Sequence, residues 1–394
     1  MTGAPPLIGV LGGYGAVGGA AARVLADSGF RLRIGGRDPG AAARCAAALP
    51  GSAEGRAVDA LDDGALARFA HGCDVLLNCA GPAYLLAGRP RRAAAGAGAR
   101  YVDVMDGSED GAAPAGERTA VLSAGIAPGL SGLLPRLLTE WRPGTAGRAT
   151  RIVPGAARFT GLYVSLGAFT RTGATDYLLS MDRGYGTPRA QWRDGRVVPG
   201  ALRGAEEHTV AGVPHPVTAH PYLTRELVAQ ARALGLAEAR WYNAFDGRHL
   251  LDALNRSRAC GDRAGSLDAQ AEAVVRASTL DALGRTPYHV LWGVLEALEP
   301  AGSARAPVRR TVLIRGDDGS AMTGVVGAVA AREVAFGRIG AGVHRAASVL
   351  RAGPVTDALR RYLPGTVVTV CEDAPAKEAV GGRPASGGME EGVL

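Results

Sequence analysis

Lysine is almost missing from this chain of 394 residues: Lys377, near the C-terminus, is the only one. Schiff-base catalysis by lysine is therefore nearly excluded. A phosphate loop ending in Gly-Lys-Ser/Thr is excluded outright, because that triplet does not occur. Cysteine is also scarce. The five residues Cys45, Cys73, Cys79, Cys260 and Cys371 are dispersed and form no C-x-x-C pair. Such spacing argues against a disulfide framework and against a zinc site, and makes a reducing cytoplasm the natural home. His208, His215 and His220 stand five to seven positions apart, which is no metal-ligand pattern, so no metal is expected. No run of eighteen apolar residues occurs, and the start lacks a charged region followed by a long apolar one. Neither a membrane span nor an export leader is expected. Aromatic residues make up 5% of the chain, and no basic run carries them interleaved, which argues against nucleic acid as a partner.

What is present is ample core material: 47% of residues are hydrophobic and 21% charged, the balance of a globular protein. The length suits two domains, or one domain carrying a large insertion. The formal net charge of +7 favours anionic ligands: a phosphorylated cofactor, a carboxylate or an acidic partner.

The first 125 residues alternate strand-like and helix-like segments. Strands are expected at 7–11, 31–34, 56–58, 74–78, 100–104 and 119–124, with helices between them. Strand and helix in turn mean a parallel sheet covered on both faces. After Gly129 the texture changes. Helices are expected at 130–141, 173–183, 224–234, 249–258, 267–283 and 288–298, and strands at 151–153, 158–169, 208–217 and 240–245. Residues 311–315 and 322–330 flank Gly316-Asp317-Asp318-Gly319 and read as a hairpin. Residues 343–351 and 355–362 read as helical and 366–370 as a strand. The chain thus divides into a dinucleotide-binding domain (1–128), an α+β domain for substrate binding and dimerisation (129–340), a segment returning to the first domain (341–371) and a disordered tail (372–394).

The run from Leu7 to Gly18, L-I-G-V-L-G-G-Y-G-A-V-G, follows a strand and opens a helix. In this pattern Gly13 allows the tight turn, Gly15 lets the backbone approach a pyrophosphate, and Gly18 lets helix and strand pack closely. Tyr14, Ala16 and Val17 complete the loop, and the N–H groups of the helix start face the phosphates. The fold class expected is therefore α/β: a Rossmann-type doubly wound parallel sheet with an inserted α+β substrate domain. Where NAD-binding chains end the second strand in Asp or Glu for the ribose 2′-hydroxyl, this one reads Gly35-Gly36-Arg37-Asp38. Without a carboxylate at Gly36, and with a guanidinium at Arg37 to pair with a 2′-phosphate, NADPH/NADP is favoured over NAD. Asp38 alone keeps NAD open.

Further motifs follow at regular spacing: Val58-Asp59-Ala60, Asp74-Val-Leu-Leu-Asn-Cys-Ala-Gly-Pro82, Tyr101-Val-Asp103 and Gly125-Ile-Ala-Pro-Gly129. The series resembles the saccharopine dehydrogenase (saccharopine reductase-like) family, well over residues 1–135 and loosely beyond. The resemblance implies that Asp59 lies by the adenine. It implies that Asn78, Ala80, Gly81 and Pro82 border the nicotinamide ribose, and that Asp103 to Asp106 close over the nicotinamide. One departure matters. Saccharopine reductases proper carry Gly-Leu-Asp-Pro-Gly at the last turn, and Ala127 stands here in place of that acid. An acceptor other than saccharopine is therefore expected.

Hydride transfer belongs to the cofactor, and the protein positions the acceptor and supplies a proton. With lysine missing, His and Tyr are the usual donors. The middle segment offers Tyr163, Tyr177, His220, Tyr222, Tyr242, Tyr288 and His289. His220, Tyr177 and Asp106 are the candidates chosen. Asp176 and Tyr177 fall early on a helix, His220 falls in a rigid loop before one, and Arg171 could hold a carboxylate. Three functions fit. The first is an NADPH-dependent reductase of a C=N bond, in its concrete form a carrier-tethered thiazolinyl imine of siderophore assembly. The second is a trans-acting enoyl reductase of polyketide synthesis. The third is a non-catalytic NADP-binding partner. A cytoplasmic homodimer is the expected assembly, acting on a small molecule or a carrier-bound substrate.

Overall fold

A computed structural model of the chain describes residues 4–105, 116, 118–142, 154–182, 184–204, 206–260, 265–298 and 308–373. The chain divides into two compact units. Unit 1 comprises Met1–Leu130, Thr175–Leu179 and Asp318–Pro364, and unit 2 comprises Ser131–Ala174, Ser180–Asp317 and Gly365–Leu394. The expected strand at 151–153, Asp106 and most of the expected tail lie outside the described residues. No helix among the described residues is long and apolar enough to cross a membrane.

Unit 1 is built on β1 (Leu7–Leu11), β2 (Arg31–Gly36), β3 (Ala53–Ala57), β4 (Val75–Asn78), β5 (Arg100–Asp103) and β6 (Thr119–Leu122), strands being numbered along the chain. A seventh strand, β16 (Gly342–Arg345), joins them in the order β16-β6-β5-β4-β1-β2-β3, every pair parallel. β1, β4 and β6 are buried along their whole length, as strands covered on both faces must be. Each fully buried Val, Leu or Ile there contributes about 1.5–3 kcal/mol. Helix starts carry their own caps: Asp38 accepts the Ala41 amide and Asp62 the Ala65 amide, each at 3.0 Å.

Three expectations fail in unit 1. The hairpin at Gly316–Gly319 is instead the start of a helix, Gly319–Ala335, capped by Asp318 on the Ala321 amide at 2.9 Å. This helix is Gly, Ala and Val on nearly every side and is buried almost throughout. It packs on the helix Ala16–Asp27, where a Cβ on Gly324 would lie 2.3 Å from the Val17 carbonyl oxygen. It belongs to unit 1, although residues up to 340 were expected in the substrate domain. The helix expected over 343–351 is β16 followed by a short helix, Ala346–Val349. Pairing with the open edge of β6 overrides the local pattern.

Unit 2 holds β7 (Ala157–Leu166), β8 (Gly186–Pro188), β9 (Gln191–Arg193), β10 (Arg196–Val198), β11 (Glu206–His208), β12 (Val217–Thr224), β13 (Glu238–Phe245), β14 (Tyr288–Ala297), β15 (Arg309–Gly316) and β17 (Val367–Asp373). They form one mixed sheet along β10-β9-β13-β7-β14-β15-β17, with β12 beside β13 and pairing β8 and β11. Only β7 and β13 run parallel among its pairs. The helix expected at 288–298 is the strand β14, whose Tyr288, Val290 and Val294 are buried in alternation on one face while Leu291 and Leu295 are buried on the other. Of the strand expected at 208–217 only the ends are strand, His208 in β11 and Val217 in β12, and the residues between them are the loop that joins the two. His220, expected in a loop, sits inside β12. Residues 367–373 pair with β15 inside unit 2 and not with the nucleotide unit, where a returning segment was expected. Arg310 of β15, 1% exposed, pins this end: its Nε reaches Glu372 at 2.8 Å, its Nη1 donates to the Leu138 carbonyl, and its guanidinium lies over the Trp141 ring.

Candidate functional site

In unit 1 the order of strands reverses between β1 and β4, and the expected cofactor residues meet at the carboxyl edge there. The left-handed turn after β1 falls on Gly12 (φ +73°), one residue before Gly13. Gly13 is needed for space: a Cβ would lie 2.8 Å from the Val10 carbonyl oxygen and 2.9 Å from Ile34. Gly18 is tighter, since its Cβ would lie 2.2 Å from the Gly12 carbonyl oxygen. Gly15 is the N-cap of the helix Ala16–Asp27 and offers no side-chain cap, so the first-turn amides of Ala16, Val17 and Gly18 stay open to an anion. This cradle fits a pyrophosphate.

The end of β2 is closed by Tyr14. Its ring lies 2.2 Å from where a Cβ on Gly36 would be, and its hydroxyl accepts the Asp38 amide at 3.0 Å. A side chain at position 36 would meet the ring where it now lies, so an acid there would require Tyr14 to swing aside. The Asp38 carboxylate is engaged as the cap of the helix Pro39–Ala47. Arg37 is exposed between them. The donor set at the 2′ position is thus a guanidinium with no competing acid at 36, which suits a phosphate.

The remaining expected residues are structured locally. Asp59 accepts the Leu61 amide at 3.0 Å in a short turn, and Asn78 accepts the Ala80 amide at 3.1 Å, shaping the loop to Gly81 and Pro82. Asp103, buried, accepts the Ser123 amide at 2.8 Å and so ties the end of β5 to β6. Cys79 in the same loop is a neutral thiol: desolvation, then the charge of Asp103, pushes it up to about 12. At the turn 125–129, Leu130 donates to the Gly125 carbonyl at 2.8 Å, and Ala127 brings no functional group.

The catalytic candidates separate. Tyr177 is half-buried and belongs to unit 1, His220 belongs to unit 2, and Asp106 lies outside the described residues. His220 has company that the sequence did not reveal. It stands opposite Asn243, which stands opposite Tyr163, and His289 follows diagonally across β7 and β14. Asn243 accepts the Trp241 indole N–H at 2.9 Å, and the Tyr163 hydroxyl is 2.8 Å from His289 Nδ1. His220 Nε2 is buried and has no hydrogen-bond partner among the described residues. Burial, then the nearby Arg258, lowers its pKa and keeps the ring neutral at pH 7; burial raises that of Tyr163. The result is a row of polar groups without an acidic side chain across one sheet face. On the opposite face Asp246, buried, is bound by Tyr288, His215 (2.7 Å) and Arg285. Arg171 pairs with Asp268 at 3.2 Å on the surface. Among the described residues, no group of His, Cys, Asp and Glu is arranged to hold a metal.

Sequence reasoning missed four features: the turn at Gly12, Tyr14 as the closure over Gly36, Asn243, and the Asp246 cluster. A bulky residue inside the glycine loop, between Gly13 and Gly15, was the available signal for the second. Asn243 and Asp246 had none, because only strand register brings their partners near.

Sheet order, glycine turn and open helix start together define a dinucleotide-binding protein of the Rossmann type. Residues 8–122 match the family model described as the saccharopine dehydrogenase NADP binding domain, and this stretch binds NADP(H). Among solved structures, apo saccharopine dehydrogenase (L-Glu forming) from Saccharomyces cerevisiae matches over 94% of this chain and 100% of its own, with a TM-score of 0.60 at 14% identity. That likeness shows a shared fold. An NADP complex of RhlG from Pseudomonas aeruginosa matches 25% of this chain and 52% of its own, at 21% identity and a TM-score of 0.23. An NADPH-bound actinorhodin polyketide ketoreductase matches 25% and 52%, at 20% identity and a TM-score of 0.23. No curated protein matches the sequence.

Proposed function

We propose that the protein is an NADPH-dependent reductase that transfers hydride to a C=N bond of an intermediate in specialised metabolism. The observation that carries this reading is the end of β2, where Tyr14 fills the place of a side chain on Gly36 and Asp38 is spent on a helix cap. That end favours the 2′-phosphorylated cofactor. The acceptor side is supported by the row His220, Asn243, Tyr163 and His289, which carries no acidic side chain, and by Ala127; these suit an imine better than a bis-amino acid. The concrete substrate is a carrier-tethered thiazolinyl imine of siderophore assembly. Hydride passes to the imine carbon, the nitrogen takes a proton, and NADP+ and a thiazolidine leave. His220, Tyr177 and Asp106 are the proposed candidates for the donor. The net charge of +7 suits an acidic carrier domain, and the proposed assembly is a homodimer.

The test is NADPH consumption by the full chain with a panel of thiazolinyl and linear imines, thioester-linked and free. Turnover with NADPH and little with NADH is the expected result. Cofactor binding without consumption on any imine overturns the acceptor assignment. Reduction of an enoyl thioester in the same assay would replace it with C=C chemistry.

A further inference from the structure

The helix Arg171–Asp182 contributes residues 175–179 to unit 1. Asp176, 8% exposed, is among them. Its Oδ1 accepts the Tyr84 amide at 3.2 Å across 92 positions of chain, and the Ala83 amide also donates to the carboxylate. Ala83 and Tyr84 are buried and open the short helix Ala83–Leu86, whose N-cap, Pro82, supplies no side-chain hydrogen bond. The local sequence therefore leaves this helix start uncapped, and a carboxylate from a distant segment does the capping.

The place of that helix gives the contact its meaning. It continues directly from the Asn78–Pro82 loop, which leaves the carboxyl end of β4. In a doubly wound sheet a dinucleotide lies across the carboxyl edge where the strand order reverses, here between β1 and β4. The 2′-phosphate end is assigned to β2, at Gly36 to Asp38. The other half of the molecule then extends over the ends of β4 and β5, past this loop.

We propose that Asp176 is a positioning residue for the nicotinamide half of NADP(H): through the Ala83 and Tyr84 amides it fixes the loop after β4 and leaves the adenosine half untouched. The proposal rests on NADPH as the cofactor and is independent of the acceptor. A carboxylate is costly to bury unless hydrogen bonds satisfy it; burial pushes the Asp176 carboxyl up, and the two backbone amides offset that only in part. Asparagine keeps the shape but weakens both contacts, since a neutral acceptor binds amides less strongly than an anion.

The test is calorimetric titration of the full chain, wild type and Asp176→Asn, with NADPH and with 2′,5′-ADP, which carries the adenosine half alone. Weakening the two amide contacts should raise the NADPH Kd about tenfold while the 2′,5′-ADP Kd stays within about twofold, and Asp176→Glu should recover part of the loss. Equal weakening of both ligands, or of neither, overturns the proposal. Should the asparagine variant not fold, amide hydrogen exchange on the wild type serves instead: NADPH, and not 2′,5′-ADP, should protect residues 83–86. Equal protection by both overturns it. A wild type that binds neither ligand overturns the NADPH assignment itself, whereas binding of both with the wrong variant pattern overturns only the role of Asp176.

Discussion

The two sheets bury similar apolar material by opposite means. In unit 1 parallel strands are covered on both faces, so β1, β4 and β6 contain almost nothing polar, and the chemistry sits at the strand ends. In unit 2 the mixed sheet keeps polar groups within its faces: His220, Asn243, Tyr163 and His289 on one, Asp246 with its three partners on the other. One sheet is a scaffold for backbone amides and glycines. The other is a scaffold for side chains. Substitutions should therefore separate into those that act through space at the backbone and those that act through unpaired charge.

The largest effect is expected in unit 2, at Arg310→Met. Removing a fully buried guanidinium leaves Glu372 and the Leu138 carbonyl without their partner, which costs about 4 kcal/mol. The urea midpoint should fall accordingly, with the NADPH Kd little changed. Gly18→Val should cost about 3 kcal/mol by overpacking, because its Cβ has the Gly12 carbonyl oxygen at 2.2 Å. Unlike the first variant it should abolish NADPH binding, and NADPH fluorescence checks this. Retained binding would mean that backbone space does not define the cradle. Gly36→Asp should raise the NADPH Kd about 100-fold, worth roughly 2.7 kcal/mol, because Tyr14 already occupies the position. Pairing it with Tyr14→Ala should restore dinucleotide binding, now in favour of NADH.

Tyr288→Phe tests the charged face of the second sheet. Burial alone would raise the pKa of Asp246, but hydrogen bonds from Tyr288, His215 and Arg285 outweigh it and hold the carboxyl below its usual range. The stabilisation is therefore present above the unfolded carboxylate range, about 3.9, and is lost as pH falls through the lower folded value. The variant should lose about 2 kcal/mol at pH 7, and the gap to wild type should close under acid, as unfolding curves at several pH values would register. The smallest effect is expected at Asp38→Ala, about 1 kcal/mol from a lost helix cap. NADH affinity should not move, since the carboxylate serves the helix; a fall in NADH binding would reassign it to the ribose.

The same contrast explains what the sequence disclosed. Unit 1 was legible where one short window contained the whole reason for the structure: the apolar run of β1, the glycines to Gly18, the gap at Gly36. It was illegible where burial is all-round. The helix Gly319–Ala335 has too little polar surface to show a helical period, and Gly316 to Gly319 imitates a turn. Unit 2 was harder throughout. β14 is central and buried on both faces, so it lacks the alternation of a half-exposed strand and its leucines and valines read as helical. His220 was selected by residue type and by an expected rigid loop that is in fact a strand. Its setting depends on register with Asn243 on the adjacent strand and Tyr163 two strands away, both separated from it by long stretches of chain.

The helix Gly319–Ala335 has a further consequence, for the order in which the molecule can form. The helix bearing Gly18 gains its close partner only at Gly324, and β6 gains its outer neighbour only at β16. A ribosome that has released the first 130 residues has made every glycine of the cradle but not the surface against which its helix rests. The nucleotide unit must wait for nearly the entire message to be read. Excised at its first boundary, it would expose a flank of Ala20, Ala21 and the main chain at Val17 to solvent or to other copies of itself.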